Sequence, residues 1–385
     1  MCYTVSQGEE QGMKKVLLLL WILCVFSVQA YAVDAVTPVK FIYLNGSNTN
    51  TADSERDFVE GVEKVHPYIK SYLEASDFVR KHMLNDGALS ISEKPESFFW
   101  GYDSSQDLNS MDESLNWMSV FSPRLAQTVR SFISHCMHDA IWVQKSYNMQ
   151  RVINELHKSV IGAHNKGEKV VMLGYSAGSF ITYEYLIHKM PAMDLNNVWL
   201  NSDKIKLKPT CLDAVTASGM AVYSANGEFF ENPDQNMLKS LFRNLDKYTE
   251  EQCAPEGTVL GVINYASPLA LFYSDRTNHS LEINKYNAYL FEYLKKNDIF
   301  MLTVNFADDP MGFPIADNMS IDDLKEYMDA SFLSEGKGFF YSKSDVKSPA
   351  TFIGAHLSYM NHPKKFAKMV ADGYVEGYKY FYKLN

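Results

Sequence analysis

The sequence predicts an α/β protein with a mostly parallel central sheet and helices on both faces. Three observations predict it. Short apolar runs recur along the chain, as in VKFIYL (39–44), KVVMLG (169–174) and IFMLTV (299–304). Such unbroken runs mark strands buried on both faces rather than on one. Segments with apolar residues at helical spacing alternate with these runs, which favours helical crossovers between parallel neighbours. Finally, 385 residues of which 46% are hydrophobic supply a full core.

The N-terminal stretch MKKVLLLLWILCVFSVQAYA (13–32) has the parts of a secretory signal peptide. Lys14 and Lys15 form a positive start, residues 16–28 an apolar stretch, and Ala30-Tyr31-Ala32 an A-x-A cleavage site. Cleavage after Ala32 is expected, so 1–32 is read as a signal, with Met13 as an alternative start because Glu9 and Glu10 sit oddly before it. The expected destination is export, to a periplasm or fully secreted. The apolar run is short for a membrane anchor, and no other run is long enough to span a bilayer. A formal charge of -10 argues against a nucleic-acid partner.

From Val39 the elements follow in order. VKFIYLNGSNT (39–49) is a strand ending in an Asn-Gly turn. FVEGVEKVHPYIKSYLE (58–74) is a helix, and ESFFWGYD (96–103) a short buried strand. Residues 148–164 place Val152, Ile153, Leu156, Val160 and Ile161 on one helical face. KVVMLG is the next strand and AGSFITYEYLIHKM (177–190) the next helix. Residues 191–257 lose the alternation and read as an insertion capping the pocket. A strand at TVLGVINY, a helix at 284–296, strands at 298–310 and 336–343, and a C-terminal helix with Pro363 in its first turn complete the chain. The mature domain is 33–385. It keeps Cys136, Cys211 and Cys253. Export permits a disulfide, and Cys211 and Cys253 flank the same polar segment, so they are the expected pair. Cys136 is then expected to be a buried free thiol. No C-x-x-C or H-E-x-x-H pattern suggests a metal, and no cofactor is expected.

Gly174-x-Ser176-x-Gly178 carries the chemistry. An apolar strand leads into it and a helical pattern leads out, the context that a nucleophile elbow requires. The helix N-terminus favours developing negative charge at the serine. A serine hydroxyl needs a base. Of ten histidines, His356 lies in a loop between the last predicted strand and the last helix, where a base is expected. His362, near the N-cap of that helix, is the weaker candidate, and His279 precedes the acid-bearing strand. FADDP offers Asp309 as the acid, with Asp308 the close alternative; adjacent residues point apart, so one of them faces the histidine. The order Ser176, Asp309, His356 is that of a hydrolase triad. The oxyanion donors would be the backbone amides of Ala177 and, from the early Asn-Gly turn, Ser47.

The chain resembles the α/β-hydrolase superfamily, of the lipase and serine-esterase kind. The resemblance rests on YLNGSNT, VVMLGYSAGS, NYASPLALF, FADDPMG and GAHLSYMNHP, and covers about residues 38–384 apart from the insertion. It departs from many relatives at Asn45, where they carry a histidine before the glycine. The resemblance implies an exported serine hydrolase acting on a small-molecule or lipid ester through an acyl-enzyme. The same machinery serves a thioesterase, an amidase or an acyltransferase. A non-catalytic ligand-binding protein on the same fold is the alternative of a different class.

Overall fold

A computed structural model describes residues 36–46, 52–101, 142–143, 145–191, 209–219, 235–270, 294–313, 322, 336–350 and 353–384. The signal segment, Ser47, Cys136, His279, the predicted helix at 284–293 and much of the insertion lie outside the described residues.

Among the described residues seven strands form one sheet: β1 (Thr37–Leu44), β2 (Leu89–Ile91), β3 (Glu96–Phe98), β4 (Lys169–Tyr175), β5 (Val259–Tyr265), β6 (Phe300–Val304) and β7 (Phe339–Lys343). The order is β2-β1-β4-β5-β6-β7, and every pairing is parallel. β2 pairs with the first half of β1, and β3 with the second half. Together they make one interrupted edge. The apolar runs behave as double-sided burial requires: residues 41–44 and 170–173 are fully buried.

The helices are α1 (Ala52–Ala75), α2 (Asp77–His82), α3 (Ser146–Asn165), α4 (Gly178–Lys189), α5 (Leu212–Ala217), α6 (Gln235–Gln252), the single turn α7 (Ile353–His356) and α8 (Pro363–Phe381). They divide between the two faces of the sheet. In register, Leu302 pairs with Tyr341, and both meet α8, at Gly373 and Gly377. One residue on, Thr303 pairs with Asn264 and points the other way, where Asn264 Oδ1 accepts from Thr182 of α4. α8 also packs on α1 and α2, whereas α4 packs on α3 and α5. α4 is buried on nearly every side, from Phe180 and Ile181 to Tyr185 and Leu186, as a helix covered by its neighbours must be.

Two segments of the predicted insertion are described. α5 and α6 pack together, and a disulfide joins Cys211 to Cys253 across them. Fully buried Lys189, at the end of α4, pairs with Asp213 of α5 at 2.7 Å. His188 Nδ1 and Gln150 Nε2 also reach the Asp213 carboxylate, each at 2.7 Å. Burial alone would raise the Asp213 pKa. The hydrogen bonds from His188, Lys189 and Gln150 outweigh it and hold the carboxyl below its ordinary range. No helix among the described residues is long and apolar enough to cross a membrane.

Two sequence expectations change in detail. The strand expected over 96–103 ends at Phe98, because the chain then turns to give both Trp100 N and Trp100 Nε1 to Asn45. His356 closes a single helical turn, α7, instead of lying in irregular loop. β2, three residues with only Ile91 buried, has too short a pattern to be read from sequence.

Candidate active site

The chain enters the sheet at β1, adds β2 on one side, and crosses to β4 on the other. The switch point therefore lies between the carboxyl ends of β1 and β4, where open α/β sheets form their binding crevices. Asn45-Gly46 follow β1 and Ser176 follows β4, so both arrive at this crevice.

Ser176 has φ of +49°, a conformation that costs a non-glycine residue energy and persists only where its surroundings impose it. The imposing contacts are visible. The Ser176 amide donates to the Tyr265 carbonyl of β5 at 3.0 Å. The Ser176 carbonyl accepts from the Ser179 amide at 3.0 Å and from Ser179 Oγ at 2.6 Å. The flanking glycines are required by close backbone approach. A Cβ at Gly174 would lie 2.7 Å from Asn264 Oδ1 and 2.8 Å from the Gly178 oxygen; one at Gly178 would lie 2.7 Å from the Asn45 oxygen. Ala177 is the N-cap of α4, and its amide has no backbone acceptor among the described residues.

Two segments at the carboxyl edge converge on the serine. His356, after β7, sets Nε2 3.1 Å from Ser176 Oγ. Asp309, after β6, sets Oδ1 and Oδ2 3.0 and 3.2 Å from His356 Nδ1. All three residues are buried, and the Asp309 side chain has no exposed surface. Burying a carboxylate is costly unless hydrogen-bond donors meet it. Met311 N donates to Oδ1 at 2.9 Å and the Tyr359 hydroxyl to Oδ2 at 2.8 Å. Burial, with the Asp309 charge adding to it, raises the Tyr359 pKa, so the phenol stays a donor at neutral pH.

The two adjacent acids separate as their alternating directions require. Asp308 turns away and accepts from the Ser348 amide at 2.6 Å. His362 is the N-cap residue of α8, with no side-chain cap bond, and stands apart from the serine's hydrogen bonds. His66, His82, His157, His164 and His188 all lie within helices.

Four more residues shape the site, and of these sequence reasoning had singled out only Asn45. Tyr175 stacks on His356 with centroids 5.6 Å apart, and its hydroxyl donates to the His356 carbonyl at 3.0 Å. Asn45 Oδ1 accepts from Trp100 N at 2.9 Å and its carbonyl from Trp100 Nε1 at 2.8 Å, which fixes the turn after β1. The fourth is Tyr359. Its sequence signal is a tyrosine three residues after the histidine. Among the described residues no cluster of three His, Cys, Asp or Glu side chains is arranged to hold a metal.

The arrangement offers one chemistry: the proton of the Ser176 hydroxyl can pass to an imidazole whose far nitrogen is held by a buried carboxylate. No family model matches the chain, and neither does any curated protein or any solved structure.

Proposed function

We propose that the chain is a serine hydrolase of the α/β-hydrolase type that cleaves a carboxylic ester through an acyl-enzyme. The observation that carries this reading is Ser176 Oγ, at a turn of positive φ, 3.1 Å from His356 Nε2 while Asp309 holds Nδ1. The strand order supports it, because nucleophile, acid and base follow β4, β6 and β7 in turn at one edge of the sheet.

In the first step the Ser176 oxygen attacks the acyl carbon while His356 Nε2 takes the hydroxyl proton. The Ala177 amide and the helix N-terminus meet the negative charge on the tetrahedral oxygen. The turn after β1, with Ser47, would supply the second donor. Collapse breaks the ester bond, and His356 returns the proton to the leaving alcohol. Water, deprotonated by His356, then attacks the acyl-enzyme and restores the serine. Asp309 keeps its charge throughout and favours the imidazolium.

Apolar residues close in sequence to the triad favour an apolar ester: Leu357, which follows His356, is exposed, and Met311 and Phe313, two and four residues after Asp309, are half-buried. A panel of p-nitrophenyl esters of increasing acyl length tests the reading. Wild type should hydrolyse them, and Ser176→Ala should lose about 10⁴-fold or more in kcat. Equal hydrolysis by both proteins would remove the reading. Adding alcohol acceptors and analysing products separates a hydrolase from an acyltransferase.

A further inference from the structure

The Tyr359 side chain does more than fill space. Its ring packs on Phe306 (centroids 4.4 Å apart), Phe366 (5.6 Å) and Tyr265 (5.7 Å), so its position is fixed from three elements. Its hydroxyl accepts from Phe306 N at 2.7 Å and donates to Asp309 Oδ2 at 2.8 Å. The Phe306 bond uses the oxygen's lone pair and leaves the proton for the carboxylate. Phe306 also anchors the acid loop, because its carbonyl accepts from Asp309 N at 3.0 Å. One phenol thus joins the base-bearing and acid-bearing loops over a sequence separation of 50. Among the described residues, the other contact of Oδ2 is the 3.2 Å approach of His356 Nδ1.

We propose that Tyr359 is a positioning residue for the Ser176–His356–Asp309 site, clamping the Asp309 carboxylate toward His356 and, by drawing on its charge, setting how strongly His356 holds a proton. A donor on Oδ2 spreads the carboxylate's negative charge into the phenol. Less charge is then felt at Nδ1, and the imidazolium is less stabilised. The other groups facing the pair are Ser176 on Nε2, Tyr175 stacked on the imidazole, and Met311 N on Oδ1. Among the described residues no lysine, arginine or glutamate forms an ion pair with His356 or Asp309.

The kinetic consequence rests on the serine-hydrolase reading; the geometry and the proton affinity of His356 do not. Two variants of the full chain test it: Tyr359→Phe, which keeps the ring and removes the donor, and 3-fluorotyrosine at position 359, which makes the hydroxyl a stronger donor. His356 is titrated by proton NMR, its resonance assigned with His356→Gln, and the acid limb of kcat/KM is recorded beside it. Tyr359→Phe should raise both midpoints by about half a pH unit. It should also lower kcat about tenfold with little change in KM. The fluorinated residue should move both midpoints down. Midpoints that stay put in folded variants, or that move in the same direction in both, would overturn the proposal. Should Tyr359→Phe fail to fold, the fluorinated protein carries the test alone. A wild-type Ser176 that resists a fluorophosphonate probe would sink the hydrolase reading and leave the NMR comparison intact.

Discussion

Gly178 and Asn45 meet so closely that a Cβ on Gly178 would sit 2.7 Å from the Asn45 carbonyl oxygen. This contact joins the turn after β1 to the first residue of α4, and so sets the serine against the early loop. Gly178→Ala should therefore destabilise the fold by about 2 kcal/mol through overpacking and slow any reaction at Ser176. Gly162→Ala in α3 is the control, because a Cβ there meets nothing within 4 Å. It should stabilise by about 0.5–1 kcal/mol. Urea unfolding midpoints read both.

The two acids after β6 should separate cleanly in kinetics. Asp309→Asn removes the charge beside His356 Nδ1 and should lower kcat about 10⁴-fold. Asp308→Ala removes an acceptor for Ser348 N and should cost about 1 kcal/mol of stability while leaving kcat within a few-fold. Kinetics showing the larger loss at Asp308 would reverse the assignment.

His157 should make the fold sensitive to mild acid. Burial, aided by the Lys189 charge, pushes its pKa down to about 4, and its buried Nε2 has no partner among the described residues. Between about pH 6.5 and 4 the unfolded chain binds a proton that the folded one refuses, so stability falls as pH falls through that window. The loss from this residue should be on the order of 3 kcal/mol, levelling off below pH 4. Asp213 adds to the acid loss at lower pH. Its depressed pKa stabilises the fold above the ordinary carboxylate range, and that contribution disappears as pH falls through the folded value. His157→Gln should flatten the decline between pH 6.5 and 4 in chemical unfolding measured at stepped pH.

The Cys211–Cys253 disulfide closes a span of 42 residues. Loop-closure entropy of that length corresponds to about 4 kcal/mol of stability. Replacing both cysteines by serine should lower the Tm accordingly. If the disulfide only tethers the insertion, ester hydrolysis at low temperature should persist in the variant.

Much of this architecture is legible in the sequence because the parallel strands are buried on both faces. Their apolar runs at 41–44, 170–173 and 300–304 stand out without any alternation to decode. The order of Ser176, Asp309 and His356 is legible because the first two follow such runs and the third lies between the last predicted strand and the last helix. What was not legible depends on contacts between distant segments. Asp308 and Asp309 look alike until the turn directs one to Ser348 and the other to His356. Tyr359 reads as a packing tyrosine until the β6 loop brings Asp309 to its hydroxyl. The end of β3 is decided by Trp100 reaching Asn45, 55 residues away.

The most direct test of the central claim is covalent. Folded wild-type protein is treated with a fluorophosphonate and the adduct located by peptide mass spectrometry. The account predicts a single adduct on Ser176, abolished in Ser176→Ala and strongly slowed in His356→Gln. Folded wild type that takes up no probe, or takes it up elsewhere, would contradict it.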